Sequence, residues 1–405
     1  MGKFLSGILV RKFRLVSIAI VAMAIILGML QPSYSQLSQL LRQAPSSEIR
    51  GVWLTNIDSD VFFATPRLAA AIQRLHQLNF NAIYPTVWNW GYTLYPSDVM
   101  GRVTQRVIDP DPGLQGRDVL QETINHSHRH GLAVIPWFEF GFMAPADSEL
   151  ASRKAGWLTS RSDGSQIVKQ GIHDRVWLIP WHPEVRQFMK ELILEICQNY
   201  DVDGIQFDDH FGLPVELGYD PYTIELYKKE HNGRTPPTNF RDAAWVKWRA
   251  DKITATYAEL YQTIKSVKPS YIVSLSPNPY QFAYSNFLTD WKTWEEKGWV
   301  DELLLQVYRD NMSSFLREIE QPEVVAASRR IPVATGILTG IRTESYSSDL
   351  IRTQAAAARS RRFAGLSFFY YETLWNNADE PINQRQNTFS RLFPTPAVRP
   401  RRGLP

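Results

Sequence analysis

A single cysteine, Cys197, stands in the 405 residues of this chain. It excludes an intramolecular disulfide and leaves stability to the hydrophobic core. The cysteine lies in FMKELILEICQNY, where Phe188, Leu192, Ile196 and Cys197 share a helical face, so a buried core thiol is expected. A Gly-rich phosphate turn after the first strand-like run is also missing, which argues against a doubly wound nucleotide-binding sheet. His173 and His182 match no standard metal spacing. Neither a metal nor a cofactor is expected. Charge of one sign is lacking too. The formal charge of +3 owes much to Lys3, Arg11, Lys12 and Arg14, and removing those four from 44 Lys and Arg leaves 40 against 41 Asp and Glu. Without a concentrated cationic face, nucleic acid is not an expected partner.

What is present begins with those four basic residues, which precede an apolar run from Leu15 to Leu30. That is the pattern of a signal sequence. Ser33-Tyr34-Ser35 suits cleavage before Gln36, although a run of this length can also stay as an N-terminal anchor. Residues 1–35 are therefore expected to direct export to the periplasm or cell envelope. Membrane contact is expected only through this segment, if it is uncleaved. Residues 36–47 read as a polar linker and 48–393 as one domain. Residues 394–405, which carry Arg399, Arg401 and Arg402 among prolines, read as a disordered tail.

Within the domain, eight short apolar or β-rich runs recur: IRGVWLT, NAIYPTVW, LAVIPWFEF, DGIQFDDHF, YIVSLSPNP, ELLLQVY, PVATGIL and GLSFFYY. Helical patterns separate them. Thr65 is placed to cap a helix opening at Pro66, Pro183 opens a run to Tyr200, and Pro269 ends the longest stretch, from Arg241. Eight strand-helix units in series predict an α/β fold, a single-domain (β/α)8 TIM barrel. Gly141 to Trp181 and Phe211 to Asn239 are far longer than the usual connection of ~4–6 residues. They follow the third and fourth strands, on the face where such barrels build their sites.

Period-two alternation along the fourth strand puts Gln206, Asp208 and His210 on one side and Ile205 and Phe207 on the other. The polar side is expected to face the lumen, with Asp208 at the catalytic end and Asp203 and Asp301 at the opposite end. Glu139 closes the third strand at the same end as Asp208. Two carboxylates on neighbouring strand ends can flank one scissile bond, one donating a proton and the other serving as nucleophile or base. The aromatic setting of Glu139 favours the raised pKa that a general acid needs. Glu139, Asp208 and Asp209 are the candidate catalytic residues, against the alternative that each sits in a structural ion pair. His210, Asn278, Gln306, Tyr308, Tyr370 and Glu372 are candidate substrate contacts at the mouth. Trp88, Trp137, Tyr280 and Tyr308 are candidate platforms for sugar rings, with core packing as the competing reading.

At this point the chain resembles a known family, the glycosyl hydrolase-like family ten of bacterial envelope proteins. The matching pieces are Glu48-Ile-Arg-Gly-Val-Trp-Leu-Thr55, Trp137-Phe-Glu139, Ile179-Pro-Trp-His-Pro-Glu-Val-Arg186 and Tyr200-Asp-Val-Asp-Gly-Ile-Gln-Phe-Asp-Asp209. The resemblance extends from about Glu48 to Trp375 and implies a (β/α)8 barrel hydrolysing envelope glycans, with peptidoglycan strands the leading substrate class. The fourth strand also resembles the chitinase pattern Asp-Gly-x-Asp-x-Asp-x-Glu. Gln206 and His210 replace its second acid and its terminal glutamate, so the chitinase mechanism lacks its proton donor here. A conventional two-carboxylate route, with Glu139 as acid/base and Asp208 as nucleophile or stabiliser, fits better. Two other functions remain open: an inert glycan-binding barrel of the envelope, and an exopolysaccharide hydrolase or transglycosylase.

Overall fold

The eight apolar runs become eight strands because each places one row of side chains against helices and the other in a barrel lumen. The computed structural model describes residues 46–400 apart from 342–343 and 377–378. The expected signal segment and most of the linker lie outside the described residues. The strands are β1 (Ile49–Leu54), β2 (Ala82–Pro85), β3 (Ala133–Val134 and Trp137–Phe138), β4 (Gly204–Asp208), β5 (Ile272–Ser276), β6 (Glu302–Gln306), β7 (Val333–Leu338) and β8 (Gly365–Phe369).

The order of hydrogen-bonded neighbours runs from the first half of β3 through β2, β1, β8, β7, β6, β5 and β4 to the second half of β3. All of these pairings are parallel. The two ends of the sheet are halves of one strand, so the sheet closes on itself. The strand is interrupted at Ile135-Pro136, where proline has no N–H to give to a ladder. The interruption is bridged: Ile135 N–H donates to Ile83 O at 3.1 Å and Gln206 N–H to Pro136 O at 2.8 Å.

Alternation divides the side chains as the barrel requires. Val52, Ile83, Ile205, Phe207, Val273 and Leu275 join the large cluster shared with the helices. Trp53, Tyr84, Ile135, Trp137, Leu304 and Ala334 form a separate cluster within the lumen. Gly51 is where these rings crowd the wall: a Cβ there would stand 2.6 Å from the Tyr84 ring and 2.8 Å from Ser367 Oγ.

The outer helices include Thr65–Gln77, Val119–Arg129, Pro183–Asn199, Ala243–Val267, Ser348–Ser360 and Ile382–Leu392. Asp118, Asp242 and Ser347 accept from N–H groups of their first turns, the stabilising N-cap arrangement. Thr65, expected as a cap, is instead the first helical residue, and its hydroxyl donates to Glu122 Oε2 at 2.8 Å. Cys197 is buried on the helix Pro183–Asn199, and burial pushes its thiol up to about 12.

The two long connections are built rather than irregular. Met143–Pro145, His173–Trp177 and Val168–Gln170 form a three-stranded antiparallel sheet after β3, and Pro221–Glu230 is a helix after β4. They are tied to one another by Phe142 N–H to His210 O at 3.1 Å and Gly218 N–H to Ser160 O at 3.1 Å.

The disordered tail expected from Pro394 onward is corrected as far as Pro400. Thr395 O accepts from Arg50 Nη1 at 2.5 Å, Ala397 O from Asn81 Nδ2 at 3.1 Å, and Val398 O from Glu48 N–H at 3.0 Å. Arg399 is ion-paired with Glu302 at the start of β6, where Tyr84 Oη also donates to Glu302 Oε1 at 3.2 Å. Glu302 is 2% exposed, so the arginine neutralises a carboxylate at the barrel base that water does not reach. Breaking a buried pair from one side costs about 3 kcal/mol or more, because the other charge is left behind. Arg399→Ala should therefore lower the unfolding free energy by roughly that amount in denaturant titrations. Adding Glu302→Gln should recover part of the loss; a double variant no more stable than the single would refute this account.

Candidate active site

The carboxyl ends of the strands carry three acids close together, each fixed by side chains from different strands. Glu139 follows β3 directly. Its Oε2 accepts from Thr55 Oγ1 at 3.1 Å after β1, Thr86 Oγ1 at 2.9 Å after β2, and Asn89 Nδ2 at 3.0 Å in the hairpin beyond. Among the described residues none donates to Oε1. Burial raises the Glu139 pKa, and the three donors on Oε2 oppose that rise only in part.

Asp208 ends β4 and is 1% exposed. Trp137 Nε1 donates to its Oδ2 at 3.1 Å and His210 N–H to its Oδ1 at 2.9 Å. Burial first, and then the neighbouring charge of Asp209, push Asp208 up to about 8. Asp209 accepts from Asn278 Nδ2 at 2.7 Å and Gln306 Nε2 at 3.2 Å. Its side chain is 19% exposed, against 2% for Asp208.

The His210 Nδ1 lies 3.5 Å from Asp209 Oδ1 and 3.6 Å from Asp208 Oδ1, and 3.0 Å from Glu139 O. Burial alone would lower the imidazole pKa, but the two carboxylates outweigh it and His210 is pushed up to about 10. A histidine so held is an imidazolium at neutral pH and a donor to the Glu139 carbonyl.

Asp208, Asp209 and His210 also offer ligand atoms within 4.8 Å of one another, a spacing that can hold a cation. A cavity of about 640 Å³ lined by Asn81, His128, Asp203 and Arg399 lies at the barrel base, the end opposite these acids.

A family model described as glycosyl hydrolase-like 10 matches residues 48–356. The chain belongs to that family. Glycosyl hydrolase DigH of Escherichia coli K12 is 26% identical over 308 residues, 66% of this chain and 66% of DigH, so the match spans just under two thirds of that relative. Glycosyl hydrolase YngK of Bacillus subtilis is 21% identical over 288 residues, 64% of this chain and 54% of YngK. Among solved structures, the glycoside hydrolase domain of PgaB (BpsB) from Bordetella bronchiseptica superposes with a TM-score of 0.63 at 14% identity, covering 84% of this chain and 99% of that one. The β-amylase catalytic domain from Paenibacillus polymyxa gives 0.57 at 11% identity, covering 86% and 98%. These likenesses agree with the closed (β/α)8 barrel described above.

On this glycosyl hydrolase-like scaffold the expected contact residues divide. Asn278, Gln306 and His210 gather around Asp209. Tyr308 is half-buried beside the acids, its hydroxyl pKa raised first by burial and then by Asp209, Asp208 and Glu139. Its ring stacks on Phe369 at 5.1 Å.

Other expectations are corrected. Trp88 has no exposed face for a sugar: it is fully buried against Phe188 at 5.6 Å, and its Nε1 donates to Gly141 O. Trp137, 2% exposed, holds Asp208 instead of presenting a free ring. Tyr280, half-buried on a helix after β5, stays a candidate contact, its hydroxyl given to Asp290 at 2.9 Å and its ring packed on Trp291 at 5.3 Å.

Tyr370 and Glu372 are not part of β8, which ends at Phe369. Along that strand Leu366 and Phe368 pack outward, which puts Ser367 and Phe369 on the lumen side. Tyr370 still joins the lumen cluster because the chain turns into a 3-10 helix there, whereas Glu372 accepts from Ser59 at 3.1 Å. Sequence reasoning missed Phe369, Thr55, Thr86 and Asn89. Correct parity of GLSFF alone would have found Phe369.

Because the folded chain holds protons on Asp208 and His210 more tightly than the unfolded chain, stability should fall as pH rises. For both groups the native pKa lies above the unfolded value of ~4 or ~6.5, so the native state binds more protons in that window. The loss should run from the acid range up through about 8 for Asp208 and continue through about 10 for His210. Denaturation midpoints measured from pH 6 to 10 should decline. His210→Gln should flatten the decline above pH 8, and an unchanged slope in that variant would overturn the assignment.

Proposed function

We propose that this protein is an exported glycoside hydrolase cleaving envelope glycans, with peptidoglycan glycan strands as its substrate, by a metal-independent two-carboxylate mechanism. The observation that carries the reading is Glu139: buried, raised in pKa, with Oε2 saturated by three donors and Oε1 unengaged. Protonated on Oε1, it is a general acid for the leaving glycosidic oxygen. Once it has given up the proton, the charge is received by donors already in place on Oε2, with no reorganisation.

The second carboxylate is supplied by the aspartate pair, and the roles within it differ. Asp209 presents the more accessible oxygens and acts as nucleophile or as partner of the oxocarbenium-like transition state. Asp208 lies beneath and, after Asp209, helps raise the His210 pKa. Export is supported by the basic and apolar start of the chain. The polymer is supported by the family and by the mouth, whose polar groups and paired rings suit a sugar chain.

Glu139→Gln should reduce release of sugar fragments from peptide-stripped peptidoglycan by ~10²–10⁴-fold, the usual worth of a positioned acid, while glycan binding persists. Asp209→Asn should fall comparably, and Asp208→Asn should shift the pH profile as well as the rate. Chelator treatment should change nothing. Undiminished release by Glu139→Gln, read by mass spectrometry, would remove Glu139 from the mechanism.

A further inference from the structure

Arg175 lies in the strand His173–Trp177, in the connection after β3, and is 5% exposed. Its guanidinium stands over the Trp90 ring at 4.2 Å and near the Phe140 ring at 5.0 Å. Its Nε is buried without a hydrogen-bond partner. Among the described residues its side chain makes no hydrogen bond and no ion pair.

The place is close to the candidate acid. Phe140 follows Glu139, and Trp90 follows Asn89, which donates to Glu139. Burial lowers the Arg175 pKa, and the longer-range charges of Asp147 and Glu139 oppose that lowering. Other buried arginines in the fold differ: Arg249 donates to Val215 O and Leu217 O, and Arg385 to Leu374 O, Thr339 O and Thr373 O, whereas Arg399, whose Nε also has no partner, is ion-paired with Glu302.

An unpaired buried guanidinium is costly unless something else completes it. Two rings fix its plane, so its donors are presented as a rigid fork with little entropy left to lose on binding. A planar monoanion matches that fork, accepting two parallel N–H bonds. A dianion suits it less well, because one cation would face it beside Glu139 and Asp147.

We propose that Arg175 forms a subsite for a carboxylate borne on the substrate sugar next to the scissile bond, so that the enzyme selects acidic over neutral glycans. This rests on the glycan-hydrolase reading above for the polymer, and it adds the charge that the polymer carries. In peptidoglycan strands that group is the lactyl ether carboxylate of the muramic acid unit; in other polymers it is a uronate.

The test uses full-length Glu139→Gln protein, so that binding is read without turnover. Calorimetry would compare four probes: a peptide-free peptidoglycan tetrasaccharide, the same molecule with its carboxyl groups methyl-esterified, a chitin tetrasaccharide and a tetragalacturonate. The free acid of the peptidoglycan fragment should bind ~10-fold or more tightly than its ester, as expected for hydrogen bonds between charged groups. Adding Arg175→Met should bring that ratio to about one. Adding Arg175→Lys, which keeps the cation but not the fork, should leave an intermediate ratio and decides the matter if the methionine variant does not fold.

Tighter binding of tetragalacturonate than of the peptidoglycan acid would assign the subsite to uronates and remove the muramic group. Equal affinity for acid and ester, or a ratio that survives Arg175→Met, would overturn the proposal. Preserved selectivity without any hydrolysis by the unsubstituted enzyme would refute the hydrolase reading alone. Binding of none of the four would refute both.

Discussion

Two adjacent carboxylates, Asp208 and Asp209, cannot both keep a negative charge in a nearly dry barrel mouth without compensation, and much of the surrounding structure supplies it. Unit charges a few ångströms apart interact far more strongly where water is excluded than in solution. Trp137 and the His210 backbone donate to Asp208, while Asn278 and Gln306 donate to Asp209. His210 contributes a full positive charge within 3.6 Å of both. The three groups titrate as a unit, and the unit holds a proton that isolated side chains would release. The resemblance of β4 to the chitinase pattern, already broken at Gln206, fails again at its last position. A cation stands where that pattern has its acid, and in the proposed mechanism the proton donor is Glu139 on the neighbouring strand.

The barrel was legible because period-two alternation and helix boundaries are local properties. GIQFD shows one apolar and one polar row: Ile205 and Phe207 pack outward with the helices, and Gln206 bonds to Trp53 in the lumen, as alternation placed them. Local rules failed where strands stop. The chain turns at the end of β4, so Asp209 reaches Asn278 and Gln306 even though parity assigns it to the opposite face from Asp208. It turns again after Phe369, so Tyr370 enters the lumen from the wrong parity. Trp88 and Trp137 show a second limit. A tryptophan at a strand end has the same sequence signature whether its ring faces sugar, core or a carboxylate, and only the neighbours supplied by other strands distinguish these. Thr55, Thr86 and Asn89 carry no signal singly, because their role exists only where three connections converge on one oxygen.

The tail failed for a different reason. Proline and arginine in a short terminal segment normally indicate solvation, since such residues bury little apolar surface. Here the barrel base provides what the segment lacks: Arg50, Asn81 and the Glu48 N–H each donate to a tail carbonyl, and Glu302 provides a buried carboxylate for Arg399. The demand for the tail arises from groups dispersed over β1, β2 and β6, none of them near it in sequence.

The two ends of the barrel thus meet the same physical problem in different ways. At the base, Glu302 is met in direct contact by Arg399, and Tyr84 completes its hydrogen bonding, so the acid is satisfied although Arg399 Nε has no partner. At the mouth, Glu139 is held by neutral donors and the nearby charge of His210, and Arg175 by aromatic faces, with the charge of Glu139 acting on Arg175. A direct Glu139–Arg175 ion pair would hold the carboxylate ionised and remove the free oxygen that general-acid chemistry needs. Keeping the two apart leaves Glu139 with donors on Oε2 alone and the Arg175 Nε without a partner. Barrels of this type concentrate stability at the base and chemistry at the mouth. The contrast between a buried carboxylate paired with an arginine and one held by neutral donors places that division at specific residues of this chain.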